Sequence, residues 1–209
     1  MEEKKTAHEL LRDSIKIVLV GTTHPGNIGA SARAIKTMGL SKLFLVSPKD
    51  FPNDVAFYRA KAAKDVLEQA EIHPDLFSAT KNCELIIGTS ARNRKVPWPL
   101  VTPRQAAQEI VQALQKGANN VAVVFGREDR GLTNEELGMC NLHVHIPTNE
   151  EYSSLNLSQA VQILSYETRL AMLENYDLME KPEWDVELAD NEQTERLITH
   201  LDELMQEVD

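Results

Sequence analysis

Five runs of apolar, largely β-branched residues recur along the chain: IKIVLV (15–20), KLFLVS (42–47), ELIIGTS (84–90), VAVVFG (121–126) and HVHIP (143–147). Most are continuous rather than alternating, the pattern of strands buried on both faces. Between them the spacing becomes helical, over 27–38, 57–70, 75–82 and 103–116. Thr102 and Pro103 supply a cap and a first-turn proline for the last of these. At 133–140, Thr133 followed by Glu136 forms a capping box. A longer helical pattern runs from about Asn156 to Asn175. Strands alternating with helices predict an α/β fold built on a parallel sheet.

The pattern changes beyond this body. Residues 1–175 read as one domain and 176–190 as a linker, by proline, charge and lack of period. Residues 191–209 then place Leu197, Ile198, Leu201, Leu204, Met205 and Val208 at helical spacing, with Asp190 and Gln193 as a cap. This helical tail either docks on the body or on a second subunit, or opens a C-terminal domain that the chain does not complete.

Charge changes the picture only once it is divided. The 209 residues carry a net charge of −10, but residues 173–209 hold 13 acidic and 2 basic side chains. The remainder holds 20 basic and 19 acidic residues, so the main body is neutral and can still carry a local basic patch. No run approaches the roughly 18 apolar residues of a membrane span. The N-terminus mixes both charge signs without an apolar core, so no secretory signal is expected. Cys83 and Cys140 form no CxxC pair and read as buried thiols in a reducing compartment, with the cytoplasm as the expected location.

Candidate chemistry begins at HPGNIGASARAIKTMG (24–39), where the first strand turns into a helix. The spacing is G-x-x-G. It is neither the dinucleotide fingerprint nor a P-loop, and no acidic residue closes the second strand to hold a ribose. A nucleotide-linked oxidoreductase is therefore disfavoured. Asn27 suits a helix N-cap, Gly26 and Gly29 suit a tight turn, and Arg33, among small neighbours, can reach across the loop. FGREDRGLTNEEL (125–137) and IPTNEEYSSLNLSQAVQILSYE (146–167) also leave predicted strands at their C-terminal ends, where open α/β sheets bind ligands. SARNRKVPWP (90–99) sets Arg92, Arg94 and Lys95 beside Trp98, which suits RNA phosphates and an unstacked base. Trp98 fits a dimer core equally well. The histidines are scattered, and His143 and His145, alternating on a strand, read as structural; no metal set is expected.

In order, NIGASAR, FGREDRGL and SSLNLSQAV resemble the three motifs of the SPOUT superfamily of RNA methyltransferases, over roughly residues 14–172. With GTSARNRKVPWP they are similar to its TrmJ type, which methylates a ribose 2′-hydroxyl in the tRNA anticodon loop. The resemblance implies a C-terminal deep trefoil knot, a homodimer, S-adenosylmethionine (SAM) as cofactor and a tRNA substrate, with nucleotide 32 as the target. It places SAM among Thr89, Ser90, Ala91, Gly126, Ile146, Ser154, Leu155 and Asn156. It assigns catalysis to Arg33, Asn27, Ser154 and Asn156, with Glu128 at the acidic position of the second motif. Arg33 approaches the target ribose, either as general base or as the holder of a phosphate that takes the proton. A protein that binds RNA without methyltransferase activity is the alternative.

Overall fold

The computed structural model describes residues 6–90, 100–149, 151, 153–176 and 191–208, with side chains of 195–206 in the last stretch. The chain divides into two compact units, 1–178 and 179–209.

The first unit is built on seven parallel strands: β1 (Ile15–Val20), β2 (Lys42–Val46), β3 (Glu71–His73), β4 (Leu85–Thr89), β5 (Leu100–Val101), β6 (Val121–Phe125) and β7 (Leu142–Val144). Their order across the sheet is β3-β2-β1-β6-β4-β7-β5. Helices α1 (Ala7–Ser14), α2 (Pro25–Thr37), α3 (Asp54–Ala60), α4 (Lys64–Glu68), α5 (Leu76–Thr80), α6 (Pro103–Gln115), α7 (Asn134–Gly138) and α8 (Leu157–Asn175) accompany them, α1 before the first strand and α8 after the last. The second unit contributes α9 (Asn191–Val208), on which Leu197, Ile198, Leu201, Leu204 and Met205 are exposed.

The continuous apolar runs are explained by a core on each face. Ile15, Ile17, Leu19, Leu43, Leu45, Val123 and Phe125 point into one core, which α1, α2, α6 and α8 close. Val18, Val20, Phe44, Val46, Ala122 and Val124 alternate with them into the other, covered by Leu76 of α5 and Leu137 of α7. Burying these strands on both sides supplies the main driving force, at about 25 cal/mol per Å² of apolar surface.

Several boundaries differ from the expected ones. The helical pattern over 57–70 breaks into α3, a 3-10 turn (Lys61–Ala63) and α4, because Lys61 adopts φ 53°, which no helix interior accommodates. The edge strands β3 and β5 and the helix α1 are additions, and β7 ends at Val144 rather than 147. The helix after β1 begins at Pro25, so its N-cap is His24, whose Nδ1 accepts the Gly26 amide at 3.0 Å. Asn27 is not the cap, and its side chain is free for other work.

Gly29 does not serve a turn either. A Cβ there would lie 2.1 Å from the Ala56 carbonyl oxygen, so glycine lets α3 pack directly on α2. α8 buries Leu157, Val161, Leu164, Ala171 and Met172 within its own chain, leaving Tyr166 as its one exposed large apolar residue.

Candidate active site

The C-terminal ends of β4, β6 and β7 surround a cavity of about 250 Å³. Its tightest element is the turn after β6. Gly131 has φ 70°, and the Arg127 and Gly131 amides and carbonyls bond reciprocally at 3.3 and 2.8 Å. A Cβ on Gly126 would fall 2.1 Å from the Gly131 carbonyl carbon and 2.2 Å from the Leu132 nitrogen. Glycine at 126 is thus demanded by backbone packing, which leaves main-chain groups facing the cavity.

The turn is clamped from outside. Arg127 donates two bonds of 2.9 Å to the Glu136 carboxylate, which also accepts the Thr133 amide at 2.7 Å in the capping box of α7. Burial pushes the Glu136 carboxyl up, but Arg127 and Thr133 outweigh it and hold its pKa below the usual carboxylate range. On the far wall, the Ser90 amide donates to the Val144 carbonyl at 2.9 Å, and the His145 ring contacts the Ser90 carbonyl at 3.2 Å. His143 is buried with Nε2 at 2.9 Å from the Leu137 carbonyl, so both histidines hold backbone.

A chain of polar contacts ties this rim to α2. The Glu128 carboxylate accepts the Thr23 amide (3.1 Å), the Thr23 hydroxyl (3.0 Å), the His24 amide (3.3 Å) and the Asn27 side-chain amide (3.0 Å). The Asn27 oxygen accepts from the Asn156 amide at 3.0 Å. Asn156 is the N-cap of α8, and its oxygen accepts the Ser158 amide and hydroxyl at 2.9 and 2.7 Å. Segments 101 and 129 residues apart are thereby locked together. Burial raises the Glu128 carboxyl, but bonds from Asn27, Thr23, its own amide and His24 together bring its pKa below the ordinary value.

Of the expected residues, Thr89, Ser90, Gly126, Ile146, Ser154 and Leu155 all line the cavity. Asn27 and Asn156 meet each other just outside it. Ala91, Arg92, Arg94, Lys95 and Trp98 lie outside the described residues. Arg33 stands apart: its side chain is exposed, roughly 9 Å further along α2 than Asn27. It does not reach inward across the loop. Sequence reasoning missed the apolar lining from Leu132, Leu157 and Ala160, and the Arg127–Glu136 clamp. The Thr133/Glu136 capping box was the one signal that marked half of that clamp. No group of three or more metal-ligating side chains occurs among the described residues.

A family model described as the SpoU rRNA Methylase family matches residues 14–166. A tRNA (cytidine/uridine/adenosine-2'-O-)-methyltransferase TrmJ of Pseudomonas aeruginosa is 52% identical over 161 residues, 77% of this chain and 62% of that protein. A tRNA (cytidine/uridine-2'-O-)-methyltransferase TrmJ of Photorhabdus laumondii is 47% identical over 190 residues, 91% of this chain and 78% of that protein. The solved structure of a probable methylase family protein from Haemophilus influenzae is 40% identical with a TM-score of 0.74, covering 95% of this chain and 81% of that one. The chain therefore spans about 62% of the length of its Pseudomonas relative. A model matched over most of the parallel-sheet unit, and relatives about half identical across it, establish that the chain belongs to the SpoU methylase family.

Proposed function

We propose that the protein transfers a methyl group from SAM to a ribose 2′-hydroxyl in the anticodon loop of tRNA, at nucleotide 32, and does so as a cytoplasmic homodimer. The observation that carries this reading is the convergence of three strand-end loops on one cavity, with the Glu128–Asn27–Asn156 contacts joining its rim to the helix that bears Arg33. The cavity suits the cofactor. Leu132, Ile146, Leu157 and Ala160 offer an apolar bed for a purine, and the turn at Gly126 presents backbone groups that any larger residue would displace. Thr89, Ser90, Ser154 and Leu155 would hold the remainder, with Ala91 as a further expected contact. When bound, SAM supplies an electrophilic methyl on a sulfonium and a neutral thioether leaving group.

In the transfer, the 2′-oxygen forms a bond to the methyl carbon, the carbon–sulfur bond breaks, and the hydroxyl loses its proton. The chain must align the oxygen with the methyl and help the proton leave. The role of Arg33 is to grip a substrate phosphate through its two-pronged guanidinium, and that phosphate accepts the proton. Because Arg33 is exposed in its own protomer, the dimer is the arrangement that sets it over a partner's cavity. Arg92, Arg94 and Lys95 supply further phosphate contacts. We also propose that the segment from β6 to α8 is tied in a deep trefoil knot; its support is the family resemblance together with the insertion of β6 between β1 and β4. Transfer of labelled methyl from SAM to unmodified tRNA tests the activity. SAM binding with no transfer would favour the RNA-binding alternative.

A further inference from the structure

A second pocket, of about 470 Å³, lies far from the strand ends that form the first. Its floor is the face of β1, β2 and β3 that α5 covers. Lys16 and Lys42 are register partners at the start of β1 and β2, and Phe44 and Glu71 are partners one step on. His73 follows on β3, and Lys81 adds a third ammonium from beyond α5.

Lys16 is the unusual member. It is only 6% exposed, yet no carboxylate lies within ion-pair distance of Lys16, Lys42 or Lys81 among the described residues. Its Nζ sits 4.8 Å from the centre of the Phe44 ring and beside the Cys83 thiol. Neither neutralises a charge. Lys42 donates to the Asp13 carbonyl, a main-chain group. Nε2 of His73 is buried without a hydrogen-bond partner, with the Glu71 carboxylate 3.5 Å away. A buried ammonium costs several kcal/mol unless it is paired. Three ammoniums and an unsatisfied imidazole nitrogen line the pocket against the Glu71 carboxylate, with Glu84 near Cys83 and bonded to the Asn120 amide, so positive charge is in excess there.

We propose that this pocket binds a phosphate group, with Lys16 beneath it, Lys42 and Lys81 beside it and His73 Nε2 completing the contacts. The ring of Phe44, stacked on His73 at 4.9 Å between centroids, gives the site an apolar flank. The phosphate belongs either to a small phosphorylated solute or to an RNA backbone.

Calorimetric titration of the whole protein with inorganic phosphate and with AMP, at constant ionic strength, tests the site. One saturable site is expected. Lys42→Ala and the exposed Lys81→Ala should each weaken it roughly tenfold, the worth of one charge-assisted hydrogen bond. Lys16→Arg should retain binding and Lys16→Met should abolish it. If Lys16→Met does not fold, Lys42→Ala and Lys81→Ala carry the test. No saturable binding, or binding that neither variant changes, overturns the proposal and marks an adventitious ion only. The source is read with tRNA, in the one arm that rests on the proposed activity. If the backbone supplies the phosphate, Lys81→Ala lowers the salt slope of tRNA affinity by about one and free phosphate competes. If a free solute supplies it, the slope is unchanged while the calorimetric site persists.

Discussion

Glu128→Gln tests how the cavity loop is coupled to α2. The carboxylate accepts four hydrogen bonds, from the Thr23 amide and hydroxyl, the His24 amide and the Asn27 side chain, all between 3.0 and 3.3 Å. Glutamine keeps the shape but removes the charge and turns one acceptor into a donor. Each charge-assisted bond is worth about 1.5–3 kcal/mol when buried, but Glu128 is partly solvated, so a net loss of about 1–2 kcal/mol is expected. For a chain of this size that is a fall of about 2–8 °C in Tm. The loss depends on pH with a definite sign. The native pKa lies below the unfolded value, so the stabilisation is complete above about pH 4.3 and disappears as pH falls through the native value. Thermal melts should therefore show the widest gap between wild type and variant at pH 6–8, closing in acid. Turnover should fall at least tenfold, about 1.4 kcal/mol of lost positioning, because Asn27 loses its anchor. A variant with unchanged Tm at pH 7, or a gap that fails to narrow as the pH is taken down into acid, would refute the reasoning.

Arg33→Ala should abolish or greatly reduce methyl transfer while leaving SAM affinity nearly unchanged, since the proposed role of Arg33 is toward RNA; Arg33→Lys should rescue poorly, because an ammonium lacks the planar fork. Calorimetry and turnover on tRNA decide this, and a collapse of SAM binding would move Arg33 into the cofactor site. Asn156→Ala should cost about 0.5–2 kcal/mol as a lost N-cap. Asn156→Ser should recover that stability in a denaturant melt but not the turnover, because serine cannot also span to Asn27. Gly126→Ala forces a Cβ into the backbone of Gly131 and Leu132, so SAM binding should be lost and stability reduced by at least about 1–3 kcal/mol; normal calorimetric affinity would contradict the proposed cradle.

The sheet was legible because its strands are buried on both faces, which writes continuous apolar runs into β1, β2, β4 and β6. β3 and β5 were not legible: at three and two residues on the sheet edges, they bury too little to leave a pattern. The break at Lys61 was invisible because a left-handed residue there has no glycine to announce it. At the site, glycines and small polar residues after strands marked the loops that line the cavity. The roles of individual side chains were harder. Asn27 has the chemistry of a cap, yet His24 performs it, and what Asn27 does instead is decided by Glu128 and Asn156 more than 100 residues away. Gly29 shows the same lesson, since the residue it accommodates, Ala56, belongs to another helix.

The most direct test is to incubate the purified protein with methyl-labelled SAM and unmodified tRNA, then locate the label by nucleotide. The account predicts a 2′-O-methyl on nucleotide 32 of the anticodon loop, formed by wild type and lost in Arg33→Ala. Bound SAM with no label on tRNA, or label on a base rather than a ribose, would contradict it.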